Sequence, residues 1–257
     1  MKAVILAGGL GTRISEETSV RPKPMVEIGG KPILWHIMKI YAHHGITDFI
    51  VCLGYRGEVI KRFFLDYHYM ESDVTCDLSN NTIALHNMRA EPWRVTLIDT
   101  GAKSMTGGRL RQVRAHLEGE GAFCMTYGDG VADVDIGACI RLHEREGRLA
   151  TVTAVQPPGR FGALRVEGGQ VTGFREKAVD GDGLINGGFF VLHPRVIDTI
   201  DDDATPWEST PLERLVEAGQ LSVYCHEGFW QPMDTLRDRN YLEELWATER
   251  APWRVWE

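Results

Sequence analysis

The sequence predicts an α/β fold, a Rossmann-like, mostly parallel sheet flanked by helices, with an antiparallel α+β portion in the second half. Two observations point to it. Up to about residue 150, short β-branched runs alternate with stretches of helical period, the rhythm of a parallel sheet layered by helices. Beyond that point the runs are separated by turns. A third observation bounds the answer: 257 residues, 43% apolar and 25% charged, suit one soluble globular domain with a sizeable core.

The elements follow in order. Lys2 to Ala7 is an apolar strand run, and Ile33 to His44 is its helix. There Ile33, Leu34, Ile37, Met38 and Tyr41 share one face and Gly45 is the stop. The pairing repeats as Phe49 to Leu53 with Val59 to Leu65, Val95 to Ile98 with Arg109 to Leu117, and Phe123 to Thr126 with Ile136 to Arg145. Strand runs then come at Thr151 to Val155, Gly162 to Val166, Val171 to Phe174 and Phe189 to Leu192, with Gly168-Gly169 as a hairpin turn. These strands are expected to be antiparallel and to cover one end of the sheet. Helices at Leu212 to Glu217 and Leu236 to Trp246 close the chain. Residues 66–93 are polar, carry the turn signal Asn80-Asn81 and fit neither rhythm, so they read as an insertion that serves assembly or covers the site.

Composition excludes several classes. The formal charge of -8 disfavours a nucleic-acid-binding surface, so any phosphate recognition must be local. No apolar run approaches the length of a membrane span, and the first is too short for a signal peptide, which places the chain in the cytoplasm. Five scattered cysteines lack a Cys-x-x-Cys pair, and Cys52 and Cys124 lie in strand runs, where they read as small buried hydrophobes. The nine histidines form no ligand pattern.

The strongest chemical signal is Leu6-Ala7-Gly8-Gly9-Leu10-Gly11-Thr12-Arg13, followed by Arg21-Pro22-Lys23-Pro24-Met25. It starts at the end of the first strand, where open α/β sheets bind ligands. The glycines let backbone N–H groups approach a phosphate chain, Thr12 and Arg13 add donors, and two prolines stiffen the backbone around Lys23. A dinucleotide fingerprint fails because Ile14 stands where its third glycine belongs. A Walker A loop fails because Pro32 follows Gly30-Lys31. A turn that merely links strand to helix would explain the glycines, but not Arg13 and Lys23.

Two further segments each place one carboxylate at a strand end: Tyr127-Gly128-Asp129-Gly130, and Phe229-Trp230-Gln231-Pro232-Met233-Asp234-Thr235. Magnesium on a nucleotide takes one or two protein carboxylates, so Asp129 and Asp234 are the candidate metal ligands. Taken alone, Asp129 also reads as a turn residue and Asp234 as a helix N-cap. A fourth signal, Phe174-Arg175-Glu176-Lys177 and then Ile185-Asn186-Gly187-Gly188, suits a sugar and its phosphate.

In this order the glycine loop, Pro-Lys-Pro-Met, Gly-Asp-Gly, Glu-Lys, Asn-Gly-Gly-Phe and Met-Asp-Thr segments resemble the sugar-1-phosphate nucleotidylyltransferases, from residue 1 to about 250. Met105 to Leu110, Pro157 to Ala163 and Gly228 to Asp238 are similar to the branch of that family that uses CTP and glucose 1-phosphate. The resemblance implies a single domain over 1–257. It would have a nucleotide-binding portion at about 1–150, a sugar-binding portion at about 151–235 and a C-terminal helical segment at 236–257. Leu6, Ala7, Gly8, Gly9, Gly11, Thr12, Arg13 and Lys23 would hold the triphosphate, with Ser104, Arg109 and Gly128 near the nucleotide. Glu176, Lys177, Asn186 and Gly187 would take the sugar phosphate, and Asp129 and Asp234 would hold Mg²⁺. Arg13 and Lys23 would carry catalysis. The implied product is CDP-glucose for surface polysaccharide, made by a homo-oligomer. The same loop also allows UTP or dTTP, and a catalytically silent regulatory subunit would keep the fold but not the metal carboxylates. Ile14 in place of Leu, and Ala178 after Glu-Lys where many members have Pro, are departures that remove no charge or donor.

Overall fold

The computed structural model describes residues 1–11, 14, 18, 20–157, 163–167, 170–175 and 183–256, with the strands at 163–167 and 170–175 given by their backbones. The strands in chain order are β1 Lys2–Leu6, β2 Glu27–Ile28, β3 Lys31–Pro32, β4 Asp48–Leu53, β5 Asp73–Asp77, β6 Thr82–His86, β7 Arg94–Asp99 and β8 Phe123–Tyr127. They continue as β9 Gly130–Ala132, β10 Ala150–Val155, β11 Ala163–Glu167, β12 Gln170–Arg175, β13 Ile185–Asn186, β14 Phe190–Leu192, β15 Leu221–His226 and β16 Trp230–Pro232. The described helices are α1 Ile33–His43, α2 Gly57–Met70, α3 Thr106–Gln112, α4 Ile136–Glu146, α5 Thr210–Glu217 and α6 Leu236–Ala247.

Eight strands form the main sheet, in the order β13-β10-β14-β8-β1-β4-β7, with β15 also on β10. β8, β1, β4 and β7 run parallel, while β14 lies antiparallel to both β8 and β10. The chain steps from β1 outward to β4 and β7, then crosses back to place β8 on the other side of β1. That reversal opens a crevice at the carboxyl ends of β1 and β8, the usual ligand position in such sheets.

Alternation along the strands divides the core between the two faces of the sheet. Ala3 and Ile5 of β1 pack with Phe49 and Val51 of β4 against Ile37 and Tyr41 of α1, Cys139 of α4 and Leu242 of α6. Val4 and Leu6 pack with Ile50, Cys52 and Met125 against Leu110 of α3, Trp207 and Leu215 of α5. Cys52 and Cys124 are buried, as their setting in strand runs implies.

Three features differ from the sequence expectation. The strands after residue 150 do not merely cover one end: β10 and β14 extend the main sheet, where the antiparallel β14 bridges two parallel halves. β15, which the sequence reading passes over because polar residues interrupt it, pairs parallel with β10. The segment 66–93 is regular, since α2 runs through its start and β5 and β6 form a hairpin turning at Asn80 and Asn81, the latter at φ 52°. The Asp77 carboxylate holds that turn by accepting from the Ser79 and Asn80 backbone N–H groups. β11 and β12 pair as a hairpin around Gly168-Gly169, which themselves lie outside the described residues.

Candidate active site

The site begins where β1 ends. Ala7 N–H donates to the Cys52 carbonyl, Gly128 N–H to the Leu6 carbonyl and Tyr55 N–H to the Gly8 carbonyl, so the glycine loop is stitched between β4 and β8. Its glycines serve distinct ends. A Cβ on Gly8 would lie 2.1 Å from Nη1 of Arg109, whereas nothing lies within 4 Å of one on Gly9. Gly8 therefore lets a guanidinium pass beneath the loop, and Gly9 leaves the loop's outer side open. Gly11 adopts φ +63°, a conformation that disfavours any side chain.

Lys23 starts a 3-10 turn, Lys23–Met25, whose Pro24 packs against Gly128. Its ammonium donates to Oδ2 of Asp129 at 2.8 Å and to Oδ1 of Asp234 at 2.7 Å. The two carboxylates are far apart in sequence and meet through a small antiparallel ribbon. β9 pairs with β16, and Met233 N–H donates to the Asp129 carbonyl at 2.8 Å. Burial alone would lower the Lys23 pKa, but Asp129 and Asp234 outweigh it and hold the group above the ordinary lysine value. The cap role considered for Asp234 belongs to Thr235, which forms a capping box with Asp238 and leaves the Asp234 carboxylate to the site.

A cavity of about 340 Å³ opens between these elements. It is lined by Leu6, Ala7, Gly8, Gly9, Gly11, Lys23, Ser104, Arg109, Gly128, Asp129 and Asp234, all expected in the site from the sequence, and by Pro24, Met105, Thr106 and Tyr127, which were not. Thr12, Arg13, Glu176 and Lys177 lie outside the described residues.

Arg109 is 4% exposed and spends much of its guanidinium on the scaffold. Nη1 donates to the Leu53 carbonyl, Thr100 Oγ1 and the Gly101 carbonyl, and Nη2 donates to the Gly8 carbonyl, at 2.7 to 2.9 Å. It thus ties the glycine loop to the ends of β4 and β7, a role its spacing did not reveal. Ser104 is likewise engaged, donating to the Thr100 carbonyl. Asn186 and Gly187 do not line this cavity; they lie beside β10, where Gly187 packs on Val155 and Asn186 Nδ2 donates at 3.1 Å to the hydroxyl of Tyr127, which does line it. Burial, reinforced by the neighbouring Glu208, raises the Tyr127 pKa well above its ordinary value and keeps the phenol protonated. Neither Tyr127 nor Glu208 carried a sequence signal beyond its neighbours.

Among the described residues no group of three or more His, Cys, Asp or Glu side chains could hold a metal ion. The Asp129–Asp234 pair fits an ion that takes one or two carboxylates and completes its shell with phosphate and water oxygens. The site joins backbone N–H groups at the carboxyl end of the central strand β1, a partly buried ammonium and two carboxylates, an arrangement suited to moving a phosphoryl group between anions.

Comparison with known proteins agrees. Residues 2–238 match the family model for nucleotidyl transferases. The chain is 61% identical to the glucose-1-phosphate cytidylyltransferase of Salmonella typhi and to that of Salmonella typhimurium, each over 257 residues covering 100% of both chains. Among solved structures, HddC from Yersinia pseudotuberculosis superposes with a TM-score of 0.70 at 23% identity, covering 95% of this chain and 99% of that one, a likeness of fold.

Proposed function

The chain belongs to the nucleotidyl transferase family, and from that premise we infer that it makes CDP-glucose and pyrophosphate from CTP and glucose 1-phosphate. The observation that carries this is the end-to-end match at 61% identity to glucose-1-phosphate cytidylyltransferases. A catalytically silent subunit is disfavoured because Lys23, Asp129 and Asp234 are all present and converge on one point.

The reaction is an in-line displacement. An oxygen of the sugar phosphate bonds to the α-phosphorus of CTP, the bond from that phosphorus to the bridging oxygen breaks, and pyrophosphate departs with the electron pair. The nucleophile is already anionic, so no base is required, and positioning and charge carry the catalysis. We assign the triphosphate to the loop Leu6 to Gly11 with Thr12 and Arg13, its open side at Gly9. Ser104, Arg109 and Gly128 border the nucleotide, and Asn186, Gly187, Glu176 and Lys177 take the sugar phosphate. Lys23 and Arg13 stabilise charge on the oxygens around the phosphorus under attack. Asp129 and Asp234 would hold Mg²⁺, which when bound neutralises phosphate charge. Lys23 sits between those same carboxylates, so a bound Mg²⁺ would compete with its ammonium for them, while its third N–H remains to be offered to a phosphate.

The exposed apolar residues of the β5–β6 hairpin and its flanks support a homo-oligomer. No described helix is long and apolar enough to cross a membrane; we place the reaction in the cytoplasm, supplying polysaccharide biosynthesis. Product analysis tests the substrate reading. With glucose 1-phosphate, CTP is expected to give the highest kcat/KM among the common triphosphates, with CDP-glucose as product. Faster turnover with UTP or dTTP would overturn the choice of base and leave the reaction class in place.

A further inference from the structure

Two residues lining the cavity, Thr106 and Tyr127, belong with Glu208 and Asn186 to one chain of hydrogen bonds. Thr106 Oγ1 donates to Oε2 of Glu208 at 2.6 Å, and the Tyr127 hydroxyl donates to Oε1 of the same carboxylate at 2.6 Å. Asn186 Nδ2 donates to the Tyr127 oxygen, and Asn186 Oδ1 accepts from Gly188 N–H at 2.9 Å. The chain runs from the first residue of α3, on the nucleotide side, to β13, on the sugar side.

Glu208 is delivered to this place by close packing. A Cβ on Gly107 would lie 2.6 Å from the Thr205 carbonyl, and one on Gly108 only 2.2 Å from that of Asp203, so only glycines let the 203–207 turn lie on α3. Met105 N–H donates to the Asp203 carbonyl, Gly108 N–H to that of Thr205, and Trp207 N–H to Thr106 Oγ1. Trp207 is fully buried edge-on against Phe190. The residue after it therefore has little freedom to be elsewhere.

We propose that Glu208 is a positioning residue for the sugar 1-phosphate, acting through Tyr127 to set the Asn186 amide. The proposal rests on the assignment of Asn186 to the sugar phosphate. Tyr127 has one hydroxyl proton, and the carboxylate takes it, so the phenol oxygen can only accept on its other side. Asn186 must then turn its NH2 toward Tyr127 and its oxygen toward Gly188 N–H. Its amide is fixed at both ends, and its second N–H is available to a substrate oxygen. Without the acceptor at 208, the Tyr127 proton competes for Asn186 Oδ1 and the amide loses its one orientation.

The test is steady-state kinetics of E208Q and Y127F, each substrate varied in turn. Glutamine keeps the shape of an exposed side chain but has one oxygen for two donors. Product analysis of the wild type comes first, because a different nucleotide sugar would refute the substrate reading; the split would then be measured with the sugar 1-phosphate actually used. E208Q is expected to raise KM for the sugar 1-phosphate about ten-fold, the effect of one charge-assisted hydrogen bond, and to change KM for the triphosphate less than about two-fold. In a Y127F background the same substitution should add less than about two-fold, because the relay is already cut. Equal effects on both substrates, no effect, or additive effects in the double variant would overturn the proposal. If E208Q does not fold, Y127F alone must show the same split, and its absence overturns the relay equally.

Discussion

Lys23 bridges the two carboxylates that we propose hold a divalent cation, and this one contact makes a quantitative demand. Removing the ammonium leaves Asp129 and Asp234 facing each other, and their repulsion is relieved by any divalent ion that binds. K23M is therefore expected to bind Mn²⁺ without nucleotide roughly ten-fold or more tightly than the wild type, a small share of the Coulomb attraction lost with the ammonium. The same variant should lower kcat by roughly 10²-fold, the loss found for one preorganised donor. Titration of Mn²⁺ by electron paramagnetic resonance, on protein shown folded by circular dichroism, reads the first effect independently of turnover. If K23M binds the ion no more tightly, ammonium and metal do not share the carboxylates. At this scale the sequence was legible where chemistry forces a residue type. A pinned lysine and two carboxylates at strand ends were all visible. Arg109 was visible only as a neighbour of the nucleotide, because three of its four partners are the backbone carbonyls of Gly8, Leu53 and Gly101, and carbonyls leave no mark in a sequence.

Elements were legible in proportion to how strictly their period was kept. The faces of α1 and α4 were readable from their apolar spacing; α4 is closed by an Asp135 cap and by Gly147 in the left-handed region. β15 was not, because polar Ser222 and His226 occupy its buried positions while Val223 and Cys225 face solvent. The hairpin of β5 and β6 was seen only as its turn. Its register puts Val74, Cys76, Ile83 and Leu85 on one face, and Val74 and Ile83 are exposed. Two strands alone are marginal in water, and an apolar face on one favours covering by another chain. The assembly reading thus predicts that the wild type sediments as an oligomer at micromolar concentration and that I83D shifts it toward smaller species. A wild-type monomer, or an oligomer indifferent to I83D, would remove the hairpin from the interface.

Over the whole molecule, the topology assembles the site from distant parts of the chain. β1 supplies the loop, β8 ends beside it, and the β9–β16 ribbon brings a carboxylate from just before the last helix next to one from mid-chain. The parallel half of the fold followed from the strand–helix rhythm. Asp129 and Asp234 were paired from their motifs, but the ribbon that joins them was not legible, because β9 and β16 are three residues each and their pairing spans about a hundred residues. The central claim is that these separated segments form one magnesium-dependent transfer site. The measurement that tests it most directly is turnover of D234N against Mg²⁺ concentration, alongside D129N. An amide keeps the shape of each side chain but removes the charge that holds a divalent ion against water. Both variants should remain folded and lose magnesium-dependent formation of CDP-glucose. Turnover by D234N at the wild-type rate with unchanged magnesium dependence would mean that the ribbon brings that carboxylate to the wrong place for the chemistry proposed.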